Sequence, residues 1–383
     1  MLIYSILIYY CIVQHRMYTI VRTFRCKKVL IGDTGGYGHY VSSAKIAELV
    51  FNNNDNLILW IGWQKRFGSA KVSNFISNNL NLIDLSFDLS FLKWYNGTDK
   101  ERQFISSKLK RKLIDKGIDA RKLSDIYSAM ESENNSSLSP QSQFCYQSIC
   151  VGESPSVTDA TIILRDRLER EYGIDFDSSL VIYLRDKGKN TKDVTNWGRI
   201  GSPWIEYIET LKFALNKKLN IFIIGDNNLD AIKFFKSQIN SKLILNPNDL
   251  KIENSLFTTI ATMCSKYYLG DMGGNNLLRS YVRKNSLIIN GFPPNNLVPY
   301  STISFKKIYF DNKEVINLTR SQINQIDKIE LKAHNKNEIF KLFKFYFQDI
   351  NKKIYDIRLK DVHKSKFYYS QKIEIKNSRV KIL

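Results

Sequence analysis

Short apolar runs that end in turn residues alternate with segments of helical spacing along most of the chain. Residues 27–33, KKVLIGD, read as a buried strand, and TGGYGH after them as a loop. Val41, Ala44, Ile46, Ala47 and Val50 then recur near helical spacing, so a helix is expected. Residues 56–62, NLILWIG, form a second strand, and SNFISNNLNLIDL predicts a helix leading into a third. This β-α-β-α-β opening implies a parallel sheet. Residues 98–130 are charged and periodic and predict helix; residues 131–158, rich in Ser, Asn, Gln and Pro, predict a loop or domain connection.

The theme then repeats. TDATIILRDRLEREYGI reads as a linking helix. Strands are expected at SLVIYLRD, LNIFIIGD, KLILNP, KYYLGD and SLIING. Helices between them are expected at PWIEYIETLKFALNKK, AIKFFKSQI, SLFTTIATMCS and NLLRSYVRK. NEIFKLFKFYFQDINKKI predicts a strong late helix with a wide apolar face. The fold class is therefore α/β, with two Rossmann-like domains whose parallel sheets face a cleft. The expected boundaries are an apolar extension at 1–26, a first domain at 27–160, a second at 175–335, and a closing helix with a basic tail at 336–383.

A length of 383 residues suits two cores, and the 43% hydrophobic fraction is that of a globular protein. The formal charge of +20 favours anionic partners: nucleotide phosphates, lipid headgroups or nucleic acid. Five scattered cysteines fit neither a disulfide scaffold nor a zinc site, and a reducing cytoplasm is expected. The apolar stretch at 1–13 is short for a membrane helix and lacks a signal-peptide pattern. It is expected to be an extension, or untranslated if Met17 is the start; a membrane-surface anchor is the third reading.

Two glycine-rich turns carry the candidate chemistry. The first runs Asp33-Thr34-Gly35-Gly36-Tyr37-Gly38-His39 between strand and helix. Gly35, Gly36 and Gly38 permit close backbone approach, the helix start suits an anion or polar sugar, and His39 is a candidate base. The second is Asp271-Met272-Gly273-Gly274-Asn275-Asn276, in the corresponding place of the other half. Its amides would face a diphosphate, and Arg279 on the same helix would add a charge-assisted bond. Arg185 and Lys187 emerge at a strand end as phosphate ligands, and Gly225 with Asp226 could touch a base or ribose. Each motif has a plainer reading as a turn, a cap or a solvated basic loop. The first turn is not a GxGxxG fingerprint, so NAD is disfavoured. No GxSxG, HExxH or P-loop is present.

The strand–GGYGH–helix opening resembles the acceptor-side loop of GT-B glycosyltransferases. The series LVIYLRDKG, IFIIGD and KYYLGDMGGNNLLRSYVRKNSLIING is similar to bacterial surface-carbohydrate members of that group, although relatives often have Ser-rich loops where Gly-Gly-Asn-Asn stands here. The resemblance covers roughly residues 27–62 and 179–300. It implies a sugar transferred from a nucleotide-sugar donor to a glycan or lipid-linked acceptor in surface polysaccharide synthesis. Arg185 and the Gly273–Asn276 turn would hold the donor diphosphate, and His39 or Asp33 would activate the acceptor. It implies no metal and no cofactor, a cytoplasmic location at or near the inner membrane face, and a late helix crossing back to the first domain. The rival readings are a sugar-nucleotide epimerase of the same architecture, a polysaccharide assembly factor and a basic nucleic-acid-binding protein, the last disfavoured because no recognised nucleic-acid motif is present.

Overall fold

The computed structural model describes residues 27–32, 57–60, 81–84, 99–126, 158–185, 201–225, 227–291, 300–310, 313–315 and 329–348, with Cys11 and Gln14. The chain divides into two compact units. One comprises residues 1–135 with 155–162, the other 136–154 with 163–383.

The first unit holds a four-stranded parallel sheet built from β1 (Lys28–Gly32), β2 (Leu57–Trp60), β3 (Asn81–Asp84) and β4 (Asp119–Lys122), in the order β3-β2-β1-β4. Val29, Leu30 and Ile31 are fully buried, as expected of a central parallel strand covered on both faces. Helix α1 (Asp99–Ile114) occupies part of the stretch read as helical. Beyond it the chain forms β4, which pairs with β1, and residues 123–126 are helical again. Its sequence, DARK, buries only Ala120 and Lys122. Lys122 is accommodated by Ser107 Oγ at 3.0 Å and Asp125 at 3.2 Å. A polar edge strand of this kind has no apolar run to betray it.

Helix α2 (Asp159–Tyr172) leads into the second unit. There a six-stranded parallel sheet is formed by β5 (Ser179–Leu184), β6 (Asn220–Gly225), β7 (Ile244–Leu245), β8 (Tyr267–Asp271), β9 (Ser286–Gly291) and β10 (Ser301–Phe305). The spatial order is β10-β9-β8-β5-β6-β7. The chain steps outward from β5 to β6 and β7, then returns to place β8 on the other side of β5. The carboxyl ends of β5 and β8 are therefore neighbours whose crossovers leave in opposite directions, the arrangement that opens a crevice in a doubly wound sheet.

The crossovers are α3 (Ile208–Asn216), α4 (Asn228–Gln238), α5 (Asn254–Cys264) and α6 (Gly274–Tyr281). Before α3 the chain makes a tighter 3-10 turn, Trp204–Tyr207, in place of the single helix expected from Pro203 onward. Strand β10 and an antiparallel sheet of β11 (Lys307–Phe310), β12 (Lys313–Val315) and β13 (Ile329–Lys332) were not anticipated from the sequence.

The late helix α7 (Lys336–Gln348) belongs to the second unit. Its apolar stripe, Ile339, Leu342, Phe343 and Tyr346, is buried in the same cluster as Leu211 of α3 and Leu287 of β9. Phe213 of α3 meets Phe340, Phe343 and Phe347 edge-on. Residues beyond 348 lie outside the described residues. Among the described residues, no helix is long and apolar enough to cross a membrane.

Candidate functional site

The switch point between β5 and β8 gathers the strongest candidates. Arg185 is the first residue after β5. Its backbone N–H donates to Asp271 Oδ2 at 3.0 Å, and its Nη1 donates to the Met272 carbonyl at 2.8 Å. Arg185 is half-buried, as are Gly273 and Gly274. Gly273 caps α6, whose first turn leaves amide N–H groups without carbonyl partners inside the helix. A guanidinium and the positive end of a helix thus meet at the carboxyl ends of adjacent parallel strands, a setting suited to an anion.

Asn275, in the first turn of α6, is 7% exposed, and its Oδ1 has no hydrogen-bond partner. A buried acceptor left open costs free energy unless something donates to it. Asn276 behaves differently. It is fully buried, and its side chain meets the Tyr268 hydroxyl at 3.2 Å. With its amide turned, it also donates to the carbonyls of Asp271 and Gly273. Its side chain braces the turn from below.

Arg279, expected to add a charge-assisted bond to the donor, is engaged elsewhere. Its guanidinium is fully buried and donates to the carbonyls of Thr262, Ser265, Lys266 and Asn285. Lys266 and Asn285 immediately precede β8 and β9, so Arg279 lies at the amino ends of the strands. There it caps the carbonyl end of α5. Burial holds its pKa below the usual arginine value. It cannot reach a ligand at the opposite end of the sheet.

Two glycines have packing reasons that the sequence did not disclose. A Cβ on Gly273 would collide with the Tyr183 ring, coming within 2.7 Å of Cε1. Gly225 has φ +114°, and a Cβ there would run into the Leu184 carbonyl. Close strand packing explains Gly225 without any ligand.

Beneath Arg185 lies a buried polar network that sequence reasoning missed. Asp271 is 2% exposed. Its Oδ1 accepts from Asn290 Nδ2 at 2.6 Å and from the Tyr207 hydroxyl at 3.5 Å. Asn290 Nδ2 also donates to Ser202 Oγ at 3.0 Å, and Ser202 donates to the His334 carbonyl at 2.6 Å. Both the backbone N–H and Nδ1 of His334 lie 2.8 Å from Asn290 Oδ1, and Nε2 lies 2.6 Å from Ser304 Oγ. Because Asn290 Oδ1 is an acceptor, His334 Nδ1 carries a proton.

Burial pushes the Asp271 carboxyl up, against the Asn290 and Arg185 donors and the charges of Lys306 and Arg185. Burial likewise pushes Lys306 down to about 8, against the attraction of Asp271. Tyr207 is raised well above its ordinary value, first by burial and then by the Asp271 charge. The one sequence signal for this network was the Gly-Asp pair closing β8. Asn290, at φ +56°, sits in an ordinary apolar strand and gave none.

Asp33, Gly35, Gly36, Gly38, His39, Lys187 and Asp226 lie outside the described residues. Among the described residues, no three His, Cys, Asp or Glu side chains gather as a metal site.

No family profile matches the chain, and no curated protein sequence does. Solved structures do match. A crystal structure of a glycosyl transferase family 9 protein from Veillonella parvula superposes with a TM-score of 0.52 at 8% identity, covering 84% of this chain and 98% of that one. The E. coli heptosyltransferase WaaC, solved with ADP-2-deoxy-2-fluoro heptose, gives 0.41 at 11% identity over 78% of this chain and 98% of that one. E. coli ADP-heptose LPS heptosyltransferase II gives 0.42 at 10% identity over 78% and 96%. Taken with the parallel sheets and the switch point described above, the likeness to the Veillonella protein identifies the fold of this chain as that of the GT-B glycosyltransferases.

Proposed function

We propose that the chain is a glycosyltransferase that moves a sugar from a nucleotide-sugar donor to a glycan or lipid-linked acceptor in surface polysaccharide synthesis. The observation that carries this reading is the placement of Arg185 beside the first turn of α6 at the β5–β8 switch point. The fold it shares with a protein named a glycosyl transferase agrees with it. In this reading the donor diphosphate lies across Gly273 and Gly274, paired with Arg185. Lys187 joins Arg185 at the phosphates, and Gly225 and Asp226 border the base or ribose. Asn275 Oδ1 accepts a hydroxyl of the donor.

As the glycosidic bond to the diphosphate breaks, negative charge grows on the leaving oxygens. The Arg185 guanidinium and the α6 amides are fixed in advance where that charge develops, which lowers the barrier without solvent reorganisation. No metal is required in this account. His39 or Asp33, behind Gly35, Gly36 and Gly38, takes the proton of the acceptor hydroxyl. The enzyme works in the cytoplasm against the inner membrane face, where its net charge of +20 favours anionic lipid.

The test is turnover of a panel of nucleotide sugars with and without lipid-linked and glycan acceptors, read as nucleoside diphosphate release. Acceptor-dependent release that survives EDTA is expected. Absence of release with every donor and acceptor would contradict the reading.

A further inference from the structure

Asp271 is acceptor on both carboxylate oxygens, and its donors come from three separate segments. Oδ2 takes the Arg185 N–H at the end of β5, while Oδ1 takes Asn290 Nδ2 from β9 and the Tyr207 hydroxyl from the 3-10 turn. Arg185 is thus tied twice to one short stretch, by its N–H to Asp271 and by Nη1 to the carbonyl of Met272. Gly201 closes the remaining side. A Cβ there would strike Asp271 Oδ2 and come within 2.9 Å of the Arg185 carbonyl, so the carboxylate has no room to swing away.

We propose that Asp271 is a positioning residue for Arg185, fixing both its backbone and, through Met272, its guanidinium for a donor phosphate. The inference rests on the donor reading above. At 2% exposure Asp271 itself does not meet the ligand; it acts through Arg185. The requirement is for a carboxylate, because Arg185, Tyr207 and Asn290 all donate to it. An amide has one acceptor oxygen and one NH2 group. Asp271→Asn therefore sets N–H groups against the Arg185 amide, or against Asn290 and Tyr207.

The experiment is equilibrium titration of the full chain with UDP, GDP, ADP, dTDP and CMP, for wild type, Arg185→Ala, Asp271→Asn and the double variant. For the nucleotide that binds wild type, Asp271→Asn is expected to weaken affinity by about tenfold or more, and the double variant to bind no more weakly than Arg185→Ala alone. A general loss of stability would not produce that non-additivity. Wild-type affinity in Asp271→Asn, or losses that multiply in the double variant, would overturn the inference while leaving the donor reading standing. Failure of wild type to bind any of the five would remove the donor reading and the inference with it. Should Asp271→Asn not fold, Gly201→Ala displaces the carboxylate without removing its charge. The same non-additive loss is expected of it, and wild-type affinity would count as refutation.

Discussion

Arg279 donates to the Thr262 carbonyl at 3.0 Å from inside the core, at the end of the sheet opposite Arg185. Two arginines that sequence reasoning grouped together therefore do unrelated work. Arg279→Met removes the guanidinium from four carbonyls, of which only that of Asn285 keeps another side-chain donor, the Tyr346 hydroxyl. Unfolding free energy should fall by on the order of 4 kcal/mol. Arg185→Ala should cost little stability. Urea denaturation of both variants checks the contrast, and nucleotide binding by folded Arg279→Met should stay close to wild type.

Gly273 is a glycine because the Tyr183 ring occupies the space its side chain would need. Gly273→Ala should destabilise the chain by about 1–3 kcal/mol through overpacking. The hydroxyl of Tyr183 is the nearest obstacle, so adding Tyr183→Phe should restore part of the loss. Thermal unfolding of the single and double variants decides this. If Gly273 were there for phosphate approach alone, the second change would restore nothing.

The open Asn275 Oδ1 predicts effects of opposite sign. Asn275→Leu removes a buried acceptor that lacks a donor, so the ligand-free chain should be as stable as wild type or more so. The same change removes a contact to the donor, and affinity for the nucleotide sugar should fall several-fold. Calorimetry with and without ligand separates the two effects.

Burial lowers Lys306 and Lys284 to about 8 in the folded chain, against an ordinary 10.5. Between those values the unfolded chain holds more protons than the folded one, so stability rises with pH. The rise should be seen from about pH 7.5 to about pH 9. At higher pH Cys264 opposes it, because burial raises its thiol from 9.0 to about 11. Urea midpoints measured across this window should climb, and Lys306→Met should flatten the slope.

Much of this architecture was legible in the sequence. KVLIG, SLVIYL, NIFIIG and SLIING are continuous apolar runs, as parallel strands buried on both faces must be, and β1, β5, β6 and β9 lie within the runs expected. Polar or short strands left no such mark. β4 reads DARK, and β11–β13 pair in an antiparallel sheet whose strands are three or four residues long.

At the site, Arg185 was recognisable because it follows directly on a strand end. Arg279 shares the helix of the glycine turn but not its end of the sheet. Five residues beyond Gly274, it has travelled about 7.5 Å down the axis, away from the crevice. The partners of Asp271 come from residues 185, 207 and 290, and the tertiary fold alone brings them together.

In the proposed function the β5–β8 switch point holds a nucleotide-sugar diphosphate against Arg185. Thermal-shift measurement against UDP-, GDP-, CMP-, dTDP- and ADP-sugars tests it most directly. The account predicts stabilisation by one nucleotide class, rising with ligand concentration and lost in Arg185→Ala. No shift with any member, or a shift that Arg185→Ala leaves intact, would contradict it.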